Sequence, residues 1–443
     1  MFPYIPISKS DEDHMLKTIG IESVEELFKA IPPSVRLDGD LNLPLHKSEI
    51  EVRQIMASYA KDNRDASQWT CYMGNGTYDA YIPSIIPYLT SRSEFSTAYT
   101  PYQPEISQGT LHAIFEFQTL VARLTDMYAS NASLYDGPTA AAEAAAIIFD
   151  KAKGDTLLVS STVNKNTIEV VKTYLKYRGL KVKLIDAKAY ETDMDDFLSK
   201  IDDQVVGVLV QSPNRYGYVE NYDPLMKEVQ ARKLKSIMYA DPSSLGILKT
   251  PGEYGVDVAV GDLQAFGNGM QFGGPHIGYL STTKKNMRKI PGRIAGQALD
   301  RHGNRAYVLT LQAREQHIRR DKASSNICSN QALNALASTI YMSLMGKDGI
   351  KKVAINTTNK AHYLYKGLLA SGQFEEVYNK PFYREFLIKS KLDIKILQER
   401  LKAHSIMPFY VLDEDERILQ VAVTENRTKK ELDHLIQVME VLS

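Results

Sequence analysis

Four stretches of this 443-residue sequence place residue types where chemistry can be done. In the first, Asp136-Gly137-Pro138-Thr139 precedes the helical run AAAEAAAIIF. Glycine and proline at a helix start leave backbone N–H groups and the positive end of the helix dipole facing outward, which suits a phosphate and makes Asp136, Gly137 and Thr139 candidates. The same residues also read as an ordinary helix start with an alanine-rich packing face. In the second, Asp241 directly follows the apolar run SIMYA and precedes Pro242. A carboxylate there can pair with a protonated pyridine nitrogen and keep the ring an electron sink, or it can cap a turn. The third is Asp257 to Gly278, DVAVGDLQAFGNGMQFGGPHIG: a strand, a glycine-rich turn and the start of another strand. The fourth, Ala98 to Gly109, sets two tyrosines and two prolines in a stiff, aromatic-walled loop before the apolar helix Leu111 to Leu124.

The elements that must position these residues alternate. Strand patterns at Thr156–Ser160, Lys181–Ile185, Val205–Gln211, Ser236–Ala240, Val256–Val260 and His276–Ser281 are separated by helical patterns at 167–177, 194–201 and 224–234. Such alternation predicts right-handed crossovers and a mostly parallel sheet covered on both faces. In an open sheet of this kind ligands lie beyond the carboxyl ends of the strands, where Asp241 falls. Helices at 356–371, 393–404 and 429–441, with strands at 385–388 and 418–423, predict a smaller C-terminal α/β domain. The N-terminal stretch carries helical patterns at 12–18, 23–30 and 47–61, with Ser23 and Glu26 spaced as a capping box and Pro32-Pro33 as a stop. The expected division is a helical arm over 1–70, a large α/β domain over 71–330 and a small domain over 331–443.

Composition narrows the partners. Lys+Arg and Asp+Glu number 53 each, so no global charge draws the chain to nucleic acid or an anionic membrane. No segment approaches the ~20 apolar residues needed to span a bilayer, and the first 20 residues lack the basic and apolar regions of a signal peptide. Cys71 and Cys328 are too few for a disulfide framework and read as buried thiols in a reducing compartment, so a cytoplasmic protein is expected. No metal is assigned.

Enzymes that use pyridoxal phosphate (PLP) on a fold of the aspartate-aminotransferase type hold their cofactor by a lysine in such a glycine-rich turn, roughly two dozen residues after the pyridine aspartate. Gln264 stands 23 residues after Asp241, and no lysine occurs between Lys249 and Lys284. Lys284 and Lys285 read as a solvated pair. The stretches YTPYQPEISQG (Tyr99 to Gly109), NASLYDGPTAAAEA (Asn131 to Ala144), FGGPHIG (272–278), PGRIAG (Pro291 to Gly296) and LTLQAREQHIRRDKASSNIC (Leu309 to Cys328) together resemble the glycine-cleavage P-protein. The resemblance runs through nearly the whole chain and matches the N-terminal half of the fused enzyme, the α subunit where the halves are separate.

That resemblance implies the PLP-dependent transferase fold type I. It implies decarboxylation of glycine, with transfer of the aminomethyl group to the lipoyl arm of the carrier H-protein, in an α2β2 assembly with the second (β) subunit. In the family the anchoring lysine sits in a histidine-lysine-threonine segment of the other half. Here the corresponding place is Leu263-Gln264-Ala265, and a glutamine amide cannot form the covalent link. PLP is thus expected in the partner subunit, with none held covalently here and Asp136, Gly137, Thr139 and Asp241 as vestigial cofactor contacts. Tyr99, Tyr102, Glu105 and Gln108 are expected to wall the partner's site, and Arg293, His317 and Arg319 to contact an anion or the carrier. Two other readings compete: a self-sufficient PLP enzyme using Lys284 or Lys285, and a binding or regulatory protein that kept only the fold.

Overall fold

The computed structural model describes the chain except residues 1–3, 5, 38, 40, 272–273, 324 and 442–443. Two positions of the FGGPHIG match, 272 and 273, lie outside the described residues. The chain forms two compact units, 1–64 and 65–443.

In the first unit, helices Lys9–Ile19 and Glu49–Ala60 are both closed by reciprocal capping boxes, Ser8 with Asp11 and Ser48 with Glu51. The box expected at Ser23 and Glu26 does not form. Val24–Phe28 is a 3₁₀ turn without a side-chain cap, and Glu26 instead accepts from the Glu22 N–H at 2.8 Å and from the Lys29 ammonium at 2.6 Å.

The second unit begins before residue 71, since the Thr70 N–H already donates to the Ser405 carbonyl. Its centre is a seven-stranded sheet made of β1 (Ala129–Ser130), β2 (Thr156–Ser160), β3 (Lys181–Ile185), β4 (Val205–Ser212), β5 (Lys235–Ala240), β6 (Val258–Asp262) and β7 (Gly278–Thr282). The order is β1-β7-β6-β5-β4-β2-β3, parallel from β3 to β6, with β7 and β1 antiparallel at one edge. Successive side chains go to opposite faces. Leu157, Val159 and Leu209 pack under the helices Gly137–Phe149 and Lys165–Lys176, while Leu158, Val208 and Val210 pack with Tyr222, Leu225 and Val229 on the other face. Burial on both faces is why these strands read as continuous apolar runs. Each fully buried leucine or valine contributes roughly 1.5–3 kcal/mol.

A hairpin of β8 (Ala295–Leu299) and β9 (Arg305–Leu309) follows. Then comes a long helical stretch, Ala332–Ala370, broken at Gly346 by a positive φ. The C-terminal layer is an antiparallel sheet of β10 (Phe374–Glu376), β11 (Glu385–Ser390), β12 (Tyr410–Asp413) and β13 (Ile418–Ala422), in the order β10-β11-β13-β12. It shares one apolar core with helices Ile394–Ala403 and Lys429–Glu440. Cys71 is buried, but Cys328, expected inside, is exposed. Among the described residues no helix is long and apolar enough to cross a membrane, and no cluster of His, Cys, Asp or Glu could hold a metal ion.

Candidate functional site

The carboxyl ends of β5 and β6 deliver Asp241 and Asp262 to one small cavity of about 50 Å³, also lined by Tyr78, Tyr239, Arg384 and Glu385. The sheet places Asp241 where a ligand-facing carboxylate is expected. Its Oδ1 accepts from the Ser243 N–H at 3.0 Å and hydroxyl at 2.8 Å. Its Oδ2 lies 2.5 Å from Nη2 of Arg384, a residue only 5 % exposed at the entry to β11. The Arg384 guanidinium lies 3.2 Å from the centroid of the Tyr78 ring, so the arginine has a carboxylate at its edge and an aromatic ring at its face. Burial works against the arginine's charge, yet Asp241 and the neighbouring Tyr78 oxygen hold its pKa above the ordinary value.

Glu385 completes the cluster. It accepts from the Asn75 N–H at 2.6 Å and from the Tyr78 hydroxyl at 2.8 Å, and burial pushes its carboxyl pKa up. Gly217, with φ +88°, lets β11 come close, because a Cβ there would collide with the Glu385 carbonyl.

The helix start at Asp136 is self-contained. The Asp136 carboxylate accepts from the Thr139 N–H at 2.8 Å, and the Thr139 hydroxyl accepts from the Asp136 N–H at 3.2 Å. The Gly137 N–H donates to Asp262 Oδ2 at 3.0 Å, Pro138 has no N–H, and the Ala140 N–H goes to the Asp136 carbonyl. No donor of the first turn is left for a phosphate, and two carboxylates stand where one would sit. A Cβ at Gly137 would collide with the Tyr239 hydroxyl, so only glycine allows this packing. His276 closes the group: its Nδ1 is 3.0 Å from Asp262 Oδ2 and its Nε2 3.3 Å from the Thr77 hydroxyl. The bond to Asp262 raises the imidazole pKa above its usual value, against the opposing effect of burial.

Gln264, 2 % exposed, has its side-chain oxygen on the Tyr78 N–H at 2.9 Å and its amide N–H groups on the carbonyls of Tyr78 at 3.1 Å and Asn268 at 2.8 Å. The position expected to carry a lysine elsewhere thus fixes the backbone of Tyr78. Lys284 and Lys285 come just after Thr282, which pairs with Val258, and so lie at the opposite end of the strands from Asp262. They cannot serve this cavity.

PLP does not fit the residues present. The ring's carboxylate partner is engaged by Arg384, the phosphate donors are engaged by Asp136 and Asp262, and about 50 Å³ holds only a few waters, against the ~300 Å³ or more of usual small-molecule sites.

The loop residues lie apart from this cluster. Tyr99 is 89 % exposed, and Tyr102 and Glu105 are exposed as well. Gln108 is already engaged, its amide exchanging hydrogen bonds of 2.8 and 2.9 Å with the Tyr307 backbone and donating to the Pro104 carbonyl. Arg293 is buried, donating to the Ser329 hydroxyl at 2.8 Å and the Tyr102 hydroxyl at 2.9 Å. His317 and Arg319 are exposed, and Arg319 borders a basic cavity with Arg288, Arg314 and Lys322. Sequence reasoning missed Arg384, Glu385 and Tyr78. The signal was available: the charged pair Arg384-Glu385 opens the apolar run FLI, and charges so placed are buried only when paired.

The architecture, with carboxylates at the ends of β5 and β6, is that of the PLP-dependent transferase fold. Among solved structures similar to it are a sphingosine-1-phosphate lyase from Burkholderia pseudomallei (12% identity, TM-score 0.68, 91% of this chain and 92% of that one) and a glutamate decarboxylase from Lactobacillus brevis (13% identity, TM-score 0.68, 93% and 96%), which show the fold alone. The family model of the glycine cleavage system P-protein matches residues 3–439, and the chain belongs to that family. It is 45% identical over 441 residues (98% of this chain, 99% of the relative) to a probable glycine dehydrogenase (decarboxylating) subunit 1 of Carboxydothermus hydrogenoformans, and 47% over 440 residues (98% of each) to the protein of that name in Bacillus cereus. The crystal structure of an inhibitor-bound glycine decarboxylase (P-protein) is similar over the whole of both chains, with 34% identity and a TM-score of 0.91.

Proposed function

We propose that this chain is the first subunit of a two-subunit glycine decarboxylase, working in an α2β2 assembly whose second subunit carries PLP. The match to relatives named subunit 1 over 98% of this chain carries this reading. PLP, when bound in the partner, supplies the electron sink that lets carbon dioxide leave glycine. This chain supplies walls. Tyr99, Tyr102 and Glu105 project from a loop stiffened by Pro101 and Pro104, so they can be held against a neighbouring pocket at small entropic cost and exclude water from it. Gln108 anchors the end of that loop to β9, and Arg293 holds Tyr102. Arg319, exposed beside other cations, and the exposed His317 two residues before it suit contact with the lipoylated carrier or with an anion.

The test is reconstitution. The chain alone should not exchange labelled bicarbonate into glycine, and the chain with second subunit and lipoylated carrier should. Exchange by this chain without a partner would overturn the reading, as would full exchange by the second subunit without this chain.

A further inference from the structure

We infer that Arg384 has taken the place of the cofactor ring, so that this chain excludes PLP in free as well as tethered form and uses the former cofactor position as a clasp between its two sheets. The inference stands on this chain's own geometry, whether or not a partner carries the cofactor.

A protonated pyridine presents a flat cation with an N–H at its edge and a face that stacks. The Arg384 guanidinium is also a flat cation with N–H groups at its edge. It meets the Asp241 carboxylate at 2.5 Å and stacks 3.2 Å from the Tyr78 ring centroid. Tyr78 is itself fixed from three directions, by Gln264 on its backbone N–H and carbonyl and by Glu385 on its hydroxyl. The residue at the expected lysine position therefore supports the surface on which the substitute cation lies. At the other end Asp136 and Asp262 take the N–H groups of the helix start, and their charge repels a phosphate. All three handles of the cofactor, its ring nitrogen, its phosphate and its carbonyl carbon, meet a side chain of this protein that is already engaged.

The replacement changes what the position does. Asp241 ends β5 of the large sheet and Arg384 opens β11 of the C-terminal sheet, so their ion pair ties the two layers together. Glu385, bound to the Asn75 N–H and the Tyr78 hydroxyl, adds a second tie alongside. A cofactor leaves; a clasp made of the chain does not.

The experiment uses the full chain, without its partner, in two assays. Titration with PLP, followed by ring absorbance and by mass spectrometry after borohydride reduction, should show no saturable binding up to about millimolar concentration and no pyridoxyl adduct. Stoichiometric micromolar binding would overturn the inference. Arg384→Gly should lower the melting temperature by at least about 5 °C, because Asp241, half-buried, is left without its cation. Methylguanidinium, a flat cation of the same edge chemistry, should then restore part of the loss saturably, with no such effect on the wild type or on Asp241→Asn/Arg384→Gly. A folded Arg384→Gly chain with an unchanged melting temperature, or with no rescue, would show that the guanidinium is not seated in a cation slot. If Arg384→Gly does not fold, Arg384→Lys keeps the charge without the planar fork; a wild-type melting temperature in that variant overturns the inference. Glycine turnover enters neither assay, so failure here is distinct from failure of the reconstitution.

Discussion

The Asp241–Arg384 centre and the Tyr99–Gly109 loop treat their polar groups in opposite ways. At the centre every carboxylate has a partner inside the chain: Asp241 with Arg384 and Ser243, Asp262 with Gly137 and His276, Glu385 with Asn75 and Tyr78. In the loop, Tyr99 and Ile106 are directed to the outside, and what is engaged, the Gln108 amide and the Tyr102 hydroxyl, holds the loop in place. The carboxylates of the centre are taken up by groups of this chain. The contrast separates two parts of one fold: a centre whose carboxylates are engaged by this chain, and a loop that leaves large side chains outside.

The largest effect expected on this contrast comes from Gln264→Lys. The change removes both hydrogen bonds to the Tyr78 backbone and buries an ammonium at a position 2 % exposed, at a cost of about 3–5 kcal/mol in unfolding free energy. It should also yield no pyridoxyl adduct and no glycine decarboxylation without the second subunit. Denaturant melts and mass spectrometry check the two halves, and an active single chain would erase the distinction between centre and loop. Next is Gln108→Ala, which leaves the Tyr307 N–H and carbonyl unpaired and should cost about 1–3 kcal/mol by the same melts. A neutral result would mean that the loop is not anchored there.

The fold was largely legible because burial on both faces leaves a strong trace. Thr156–Ser160 and Lys181–Ile185 have the same bounds in sequence and structure. The strand expected at Val256–Val260 runs Val258–Asp262, because Asp257 is drawn off to Lys235 and Ser236. The strand expected from His276 starts at Gly278, since His276 turns toward Asp262. The helix expected from 356 begins earlier, after the break at Gly346, and the helical segment from Ala332 to that break was not read at all; over 335–342 it is buried at nearly every position and carries no amphipathic stripe. The hairpin β8–β9 was missed as well, two five-residue strands without a two-residue turn signal between them.

The site was half legible. Asp241 and the Asp136 helix start were found by their place after and before regular elements. What engages them was not, because Arg384 is 143 residues from Asp241 and Asp262 is 125 from Gly137, and no local spacing encodes such pairs. The Ser23 and Glu26 box had the right spacing, but Glu26 takes the Glu22 N–H and the Lys29 ammonium instead.

A smaller effect, on turnover rather than stability, tests the loop. Tyr99→Phe removes a hydroxyl that is exposed in this chain, so its melting temperature should not move. If the hydroxyl touches the partner's pocket in the transition state, turnover of the reconstituted enzyme should fall about tenfold or more, each ~1.4 kcal/mol being one decade. Tyr102→Phe should fall similarly and in addition leave Arg293 Nη2 without its acceptor, a modest loss of stability. Full turnover in both would take the loop out of the active site; loss of assembly in either would assign it to structure.

The smallest effect concerns His276, at the margin of the closed centre. Its folded pKa is raised by Asp262, with a lesser contribution from the Asp136 charge, while the Thr77 hydroxyl on its other side is neutral. A histidine with a raised folded pKa adds stability that is fully present below its ordinary value near 6.5 and is lost as pH climbs through the folded value. The side chain is 29 % exposed, so solvent screens the pair and the contribution should stay under about 1 kcal/mol. His276→Gln keeps a neutral donor for Asp262 and removes only the titrating charge. Subtracting its melting curve from that of the wild type should therefore leave a difference that favours the wild type below the ordinary histidine value and shrinks as pH rises above it. A difference that is flat with pH would mean that His276 binds Asp262 as a neutral ring, and that the carboxylates of the centre are matched by Arg384 and backbone N–H groups without it.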